Sequence, residues 1–456
     1  MKKVLLAAGI AVLAAAGAIA AVVVSSGGGG STTALPPSST VSTDVPSTNT
    51  TVSTGTTAQS SAVPPPPSPV APPGTTTVLP APTTTAALPP APSPNSNRRR
   101  SFVVGVVDDS LGQSDPASAR SLTEISRRAG FDAVVLSVAW SRGLTRPTPD
   151  LLRGVHNVAA VAKRKHMRLF LVAWNSFARY TPRDGKEREE FAQFAAGVVR
   201  AVPSVYGVIV GNEPNLSTFW KPQFGAGGSD AAARAYENLL ARTYDALKDV
   251  SSSVRVIGVA VSPRGADRPD GIRPTHSPTA FIRDLGAAYR ASGRRAPLMD
   301  AFAIHPYMLT SAIPPTAAHP KTTQITLADY PKLVTLLDEA FRGTPQRGRT
   351  LPILYTEFGV QTTIPQQKLS AYQAATAPEA VRVSPERQAA YYRKALALAY
   401  CQPTVKGLFI FHTFDEYSLD GWQSGLYYAD RTPKPSLPLF RQAVAALRNG
   451  TLTSCR

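Results

Sequence analysis

The segment YGVIVGNEP, residues 206–214, is a short apolar run that ends abruptly in polar side chains. A second segment, ILYTEFG at residues 353–359, has the same form, with Glu357 directly after the apolar residues. Continuous apolar runs without strict alternation are typical of strands that are covered on both faces, as in parallel sheets. The two segments therefore predict buried parallel strands that each carry a glutamate at the carboxyl end.

Six further apolar runs repeat this pattern, and longer amphipathic segments separate them. The predicted strands are residues 102–107, 133–138, 168–172, 206–211, 254–261, 301–305, 353–357 and 407–412. The predicted helices are residues 116–128, 151–165, 187–202, 231–248, 278–292, 330–341, 385–400 and 437–447. Alternating strands and helices indicate an α/β fold with parallel strands and crossover helices.

Eight strand–helix pairs predict a closed (β/α)8 TIM barrel, formed by a single catalytic domain over residues 101–456. An open doubly wound sheet is the main alternative. That sheet would normally carry a glycine-rich phosphate turn after its first strand, and no such motif follows residues 102–107.

Polar and aromatic side chains follow almost every predicted strand, where barrel enzymes carry their catalytic residues. In chain order they are Asp108, Asp109, Trp140, Trp174, Asn175, Asn212, Glu213, His305, Tyr307, Glu357 and His412. All four tryptophans, at positions 140, 174, 220 and 422, lie after strand ends. Since aromatic rings can stack on the apolar faces of sugars, all four tryptophans suit sugar stacking, with packing in the core as the alternative. We expect Trp174, Asn175 and Trp422 to bind substrate.

Four acidic residues near these strand ends allow two interpretations each. Asp108 and Asp109 either cap the next helix or contact substrate, while Asp415 and Glu416 either line an outer subsite or are solvated. For the second pair the solvated interpretation is favoured.

Glu213 and Glu357 would face each other, because strands four and seven of an eight-stranded barrel lie on opposite sides of its mouth. Cleavage of a glycosidic bond needs such a pair: one carboxyl protonates the leaving oxygen while the other attacks or stabilises the anomeric carbon. Two close carboxylates also raise the pKa of one of them and titrate as a unit.

The motifs at these strand ends resemble those of the clan A retaining glycoside hydrolases, which include the cellulase-type family five and the xylosidase-type family thirty-nine. The similar stretches are VGNEPN at 210–215, HPY at 305–307, YTEFG at 355–359, GLY at 425–427 and DRTPKP at 430–435. The resemblance covers about residues 102–445. It implies hydrolysis of a β-linked polysaccharide or oligosaccharide with retention of configuration.

The resemblance also implies a role for individual residues. Glu357 would be the nucleophile and Glu213 the general acid/base, with carboxyl groups about 5 to 5.5 Å apart. Asn212 would hold the 2-hydroxyl of the sugar, Tyr307 would hydrogen-bond the nucleophile, and His305 would line the same subsite.

Two further positions follow from the resemblance and from motif inspection. Trp422 would supply the aromatic floor after strand eight, and Arg142 is the candidate for the arginine that accompanies the nucleophile. There is no HExxH or CxxC motif, and the spacing of the remaining histidines does not suit a metal: His156, His166, His276 and His319. The sequence therefore predicts no catalytic metal and no cofactor.

The first hundred residues differ in composition from the rest. Lys2 and Lys3 precede an unbroken apolar run at residues 4–24, which predicts export. The run is long enough for a membrane span, yet Ala-Ile-Ala at 18–20 suits a cleavage site, so an uncleaved anchor and a cleaved signal peptide (residues 1–24) both remain open. Residues 25–100 are rich in Ser, Thr and Pro and predict a disordered linker. We expect a secreted protein or one tethered to the cell membrane.

The excess of basic residues, 48 Lys and Arg against 30 Asp and Glu, is spread thinly along the chain. A nucleic-acid-binding protein would concentrate this charge in one stripe with interleaved aromatic residues. We therefore expect no nucleic-acid partner. The expected partner is a saccharide substrate, and we expect the protein to be a monomer.

The two cysteines follow the seventh and eighth predicted helices, which would end side by side at the bottom of the barrel. In an exported protein this placement favours a disulfide between Cys401 and Cys455, with two free thiols as the alternative.

Two other functions remain open at this point. A carbohydrate-binding or wall-organising barrel would keep the fold without turnover, although the intact pair of glutamates argues against it. An exported transglycosylase would form the same covalent intermediate but exclude water.

Overall fold

Eight parallel strands close into a barrel in the computed structural model, which describes residues 101–373 and 381–452. They pair in chain order, and β1 pairs with β8 to complete the ring. The strands are β1 (Val103–Val107), β2 (Ala133–Ala139), β3 (Arg168–Trp174), β4 (Val205–Val210), β5 (Arg255–Val261), β6 (Ala301–Ile304), β7 (Ile353–Phe358) and β8 (Val405–Phe411). The predicted TIM barrel is confirmed, and each predicted strand is present.

A helix follows each strand in the described residues, and side-chain caps fix where most of them begin. The helices are α1 (Pro116–Ala129), α2 (Pro149–Arg164), α3 (Gly185–Ala201), α4 (Ala231–Val250), α5 (Pro278–Ser292), α6 (Tyr330–Phe341), α7 (Pro385–Cys401) and α8 (Ser436–Asn449). Thr148 and Asp184 accept hydrogen bonds from first-turn amides of α2 and α3. Because a cap extends the helix beyond its apolar periodicity, both helices begin earlier than the sequence pattern predicts.

The interior of the barrel is a packed core. Phe170 and Phe409 meet edge to face with ring centroids 5.2 Å apart, and both are buried. Gly105 makes room for them, because a Cβ atom at this position would lie 2.1 Å from the ring of Phe409. Side chains thus fill the barrel, as is usual for eight strands, and the polar strand ends lie at its carboxyl end.

A fully buried ion pair fastens the segment between β8 and α8. Lys434 Nζ lies 2.7 Å from Asp415 Oδ1 and also donates to Thr362 Oγ1 and to the main-chain oxygen of Gln423. Tyr372 OH donates to the other oxygen of Asp415 at 2.8 Å. The three donors of the ammonium group therefore have acceptors, which a buried charge requires. Asp415 belongs to this framework and is not solvated.

Several predictions fall outside the described residues. These are the export segment and tether at residues 1–24, the linker at 25–100 and Cys455; the pairing of Cys401 with Cys455 stays a prediction. Within the described residues, no helix is both long enough and apolar enough to span a bilayer.

Replacing Lys434 with Met should strongly destabilise the barrel, because the carboxylate of Asp415 would remain buried without its cation. We expect the free energy of unfolding to fall by roughly 3–5 kcal/mol in urea titrations, as for other broken buried pairs. The double variant Lys434→Met/Asp415→Asn should recover part of this loss.

The matched control is Arg153→Met, which removes the cation of the exposed pair with Asp150. It should leave the unfolding midpoint nearly unchanged. Equal effects of the buried and the exposed substitution would show that the buried pair does not stabilise the fold.

Candidate active site

Glu213 and Glu357 converge at the carboxyl end of the barrel, and the side chain of His305 joins them. His305 Nδ1 lies 3.1 Å from Glu213 Oε1 and 3.5 Å from Glu357 Oε2. Tyr307 OH donates to Glu357 Oε2 at 3.0 Å. Both glutamates are buried, with exposures of 6% and 7%. The two carboxylates thus share one imidazole nitrogen at the barrel mouth.

The backbone after β4 turns sharply to place Glu213. Gly211 and Glu213 have positive φ values of 78° and 41°. This region is unfavourable for a glutamate, so other contacts must hold it there. The amide of Glu213 donates to the carbonyl of Ala260 in β5 at 2.9 Å, and the amide of His305 donates to Val261 at 3.0 Å. The neighbouring strand therefore fixes both residues.

Burial and like charge control the protonation of this cluster. Burial raises the pKa of Glu357 to about 7, and the charge of Glu213 adds to this, against the opposing effects of His305 and the Tyr307 hydroxyl. Burial alone would lower the pKa of His305, but the two carboxylates outweigh it and raise that pKa. The protonation of Glu357 and that of His305 therefore depend on each other.

A cavity of about 400 Å³ opens on the Glu357 side of the pair. We call it the acidic cavity; its lining includes Asp108, Asp109, Trp174, Asn212, Glu357, His412 and Glu416. The predicted substrate-binding residues Trp174 and Asn212 thus lie beside Glu357. The indole Nε1 of Trp174 is buried and has no hydrogen-bond partner within the described residues.

Glu416, for which the sequence favoured a solvated position over a place in a subsite, lines this cavity. Both of its carboxyl oxygens are buried without a hydrogen-bond partner among the residues described, and His412 Nδ1, 3.7 Å away, is likewise unpartnered. Burial raises the pKa of Glu416 to about 8 and lowers that of His412 to about 4, so both are uncharged at neutral pH. Glu416 is therefore not solvated, and it offers neutral hydrogen-bonding groups to a ligand.

A larger cavity of about 690 Å³ lies on the Glu213 side. We call it the wide cavity; its lining includes Glu213, Arg264, Arg273, Met308, Gln324 and Trp422. The ring of Trp422 packs against Tyr307, with centroids 5.0 Å apart. Trp422 therefore lies next to the residue that hydrogen-bonds Glu357, at the edge of the wide cavity.

Other residues at strand ends serve the framework. Trp140 and Trp220 are buried between the barrel and its helices, where Trp140 packs on Phe191 and Trp220 on Tyr236. The expectation that all four tryptophans suit sugar stacking is therefore wrong for these two.

Asn175 and Arg142 are also occupied by protein contacts. Asn175 Nδ2 donates to the carbonyls of Phe177 and Phe219, both at 2.9 Å, so its amide nitrogen is already in use. Arg142 pairs with Glu187 at 3.2 Å, and the expectation that it accompanies Glu357 is wrong.

The two aspartates after β1 have distinct partners. Asp108 accepts bonds from the amides of Ser110 and Thr413, which caps a short turn and ties β1 to the segment after β8. Asp109 accepts from the amide of Ser137 at 2.6 Å, and burial raises its pKa to about 6. Both also line the acidic cavity, so capping and ligand contact are compatible here.

The sequence matches no known protein-family model and no curated protein. Its fold is similar to that of several solved glycosidases. GH5_18 from Streptomyces cattleya in complex with GlcNAc is 16% identical, with a TM-score of 0.51 over 76% of this chain and 80% of that one. The Ignisphaera aggregans GH53 catalytic domain is 16% identical, with a TM-score of 0.51 over 78% and 99% of the two chains.

A glucosidase from Croceicoccus marinus is 13% identical, with a TM-score of 0.51 over 76% of this chain and 68% of that one. At such low identities the likeness concerns the fold. The chain has the closed (β/α)8 barrel fold of these glycosidase structures, with Glu213 and Glu357 at its mouth.

Proposed function

We propose that this protein is a retaining glycoside hydrolase in which Glu357 is the nucleophile and Glu213 the general acid/base. The shared contact of both carboxylates with His305 Nδ1 carries the proposal. Because Glu213 Oε1 and Glu357 Oε2 both contact this nitrogen, the distance between the two oxygens cannot exceed the sum of the two contact distances. That sum only just reaches the lower limit of the inverting range, about 6.5 Å, whereas retaining enzymes need about 5 to 5.5 Å.

In the first step the pair reacts in the form that carries its single proton on Glu213, and in that form an oxygen of the ionised Glu357 attacks the anomeric carbon of the sugar. The bond from this carbon to the leaving oxygen breaks, and that oxygen takes the proton of Glu213. Tyr307 OH donates to Oε2 of Glu357, so it fixes the orientation of the carboxylate and leaves Oε1 for the attack.

In the second step Glu213 removes a proton from water, and the resulting oxygen attacks the same carbon and releases Glu357. Esterification has by then removed the negative charge of Glu357. Ionised Glu213 no longer faces a second carboxylate, so it can act as a base after having acted as an acid.

The positions of the two cavities suggest how a saccharide binds. The glycone sugar must lie next to Glu357, in the acidic cavity, and the leaving group next to Glu213, in the wide cavity. We propose a β-linked polysaccharide or oligosaccharide as the substrate, with Asn212, Trp174 and Glu416 contacting the glycone. GH5_18 of similar fold binds GlcNAc, which supports a saccharide ligand.

We propose that the enzyme acts outside the cytoplasm, as a monomer. The location is inferred from the apolar run at residues 4–24 and the Ser, Thr and Pro-rich linker at residues 25–100. These segments would export the barrel and either release it or hold it at a distance from the membrane.

Glu357→Gln should reduce turnover at least a thousandfold, because the amide is a very poor nucleophile. The assay is a screen of β-linked aryl glycosides and polysaccharides, with wild type and variant side by side. The control Glu386→Gln alters an exposed glutamate at the start of α7 and should keep full activity.

The anomeric form of the first product, followed by NMR, separates the mechanisms. Retention is expected, and an inverted product or an active Glu357→Gln variant would remove Glu357 from its role. A product that joins a second sugar instead of water would identify a transglycosylase.

Glu357→Gln should also stabilise the protein, by an amount that depends on pH. The folded protein holds the Glu357 proton up to about pH 7, whereas the unfolded chain loses it near the ordinary pKa of 4.5. The unfolded state thus binds fewer protons between these values, and wild-type stability declines as the pH rises.

The melting-temperature advantage of Glu357→Gln should therefore grow between about pH 4.5 and pH 7 and stay constant above pH 7. The full effect is on the order of 3 kcal/mol. The variant Glu386→Gln should show no such trend, and a pH-independent difference for Glu357→Gln would contradict the raised pKa.

Glu416→Leu should raise KM about tenfold, the equivalent of one lost hydrogen bond to the sugar. The melting temperature should not fall, because the oxygens of Glu416 have no hydrogen-bond partner in the described part of the protein. Glu416→Gln, which keeps a neutral donor and acceptor, should stay near wild type. An unchanged KM for the leucine variant would exclude Glu416 from the glycone site.

A further inference from the structure

A second cluster of ionisable side chains lies where the loops after β4 and β5 meet. It consists of Asp230 at the N-terminus of α4, His276 just before α5, and Asp284 within α5. One ligand atom from each of the three side chains lies within 4.8 Å of the others. The closest pair is His276 Nε2 and Asp230 Oδ1, at 3.3 Å.

Asp230 is deeply buried, and only one of its two carboxyl oxygens accepts a hydrogen bond within the described residues. Its side chain is 2% exposed and that of His276 is 4% exposed. Oδ1 of Asp230 accepts the amide of Ala233 at 2.7 Å, while Oδ2 is buried with no hydrogen-bond partner in the described chain. An unpaired carboxylate oxygen in such a place is costly unless a proton or a cation compensates it.

The charges around Asp230 are mostly of the same sign. The carboxylates of Asp284 and Asp267 are the nearest acidic neighbours of Asp230. Arg283 lies near Asp284 but also pairs with Glu339 at 3.8 Å. The cluster thus has an excess of negative charge that a bound cation would balance.

We propose that Asp230, His276 and Asp284 form a binding site for one divalent transition-metal cation of the Zn²⁺ type. An imidazole with two carboxylates suits Zn²⁺ better than Ca²⁺ or Mg²⁺, which prefer oxygen ligands only. The 3.3 Å between His276 Nε2 and Asp230 Oδ1 is the separation of two ligands about 2.0 to 2.2 Å from one tetrahedral ion.

The main-chain oxygen of Gln223, 2.9 Å from His276 Nε2, is within reach as a fourth ligand. Nε2 has to be unprotonated in order to bind the cation, so the imidazole proton moves to Nδ1. Asp230 has to be ionised, and its proton, if present, is released to solvent.

The bound cation would stabilise the loop that lines part of the wide cavity. The carbonyl of His276 accepts Asn215 Nδ2 at 3.0 Å, and the amide of His276 donates to Asn215 O at 2.9 Å. Asn215 lies two residues beyond Glu213 and also accepts the amide of Ser262. The site therefore acts on the position of Glu213 through Asn215 and makes no contact with substrate.

The test uses the full chain, stripped with a chelator and then titrated with Zn²⁺, Mn²⁺ or Ca²⁺ by calorimetry and thermal unfolding. We expect one Zn²⁺ per chain and a melting temperature that rises with Zn²⁺ concentration. Asp284→Asn, whose side chain caps no helix, should fold normally and lose at least tenfold in affinity. His276→Gln and Asp230→Asn should abolish binding.

The matched control is His319→Gln, which alters another histidine that contacts a buried aspartate, Asp329, at 3.2 Å. It should keep the Zn²⁺ effect. Failure of the wild type to bind Zn²⁺, binding that survives Asp284→Asn and Asp230→Asn, or a preference for Ca²⁺ would each overturn the assignment. None of these measurements needs glycosidase activity, so the outcome is independent of the proposed function.

Discussion

The contact of His305 with two glutamates is the constraint around which the mouth of this barrel is organised. Two carboxylates in a poorly solvated place repel each other, and burial opposes the ionisation of Glu357. One imidazole nitrogen, hydrogen-bonded to Glu213 and 3.5 Å from Glu357, reduces that repulsion. The raised pKa of Glu357 shows that the compensation is incomplete. A fold optimised for stability alone would not keep this arrangement.

Beside the mouth, buried charges are fully compensated by neighbouring protein groups. The pair of Lys434 and Asp415 satisfies its buried charges within the protein. Glu416, one residue after Asp415, instead lines the acidic cavity, and its oxygens have no hydrogen-bond partner among the described residues. Adjacent acidic residues on one segment thus have opposite roles: the first fixes the segment, and the second is available to a ligand. Only their partners in space distinguish them.

The order of strands and helices could be predicted from the sequence because each element carries its own local pattern. The placement of Glu213 and Glu357 followed from strand order alone. Side-chain direction was harder to predict: Trp140 packs outward against Phe191 and Trp174 faces the mouth, since successive residues at a strand end point to opposite sides. Asp230 and His276 come together only in the folded protein, so no spacing motif in the sequence predicts their cluster.

The packing of Phe409 against Gly105 also bears on how a chain of sugars can travel through this molecule. Because aromatic rings block the axis of the barrel, the residues that the structure describes leave no tunnel from one end to the other. If the proposed hydrolase acts on a polysaccharide, the polymer has to lie across the carboxyl end of the barrel, and both products have to leave from that same face.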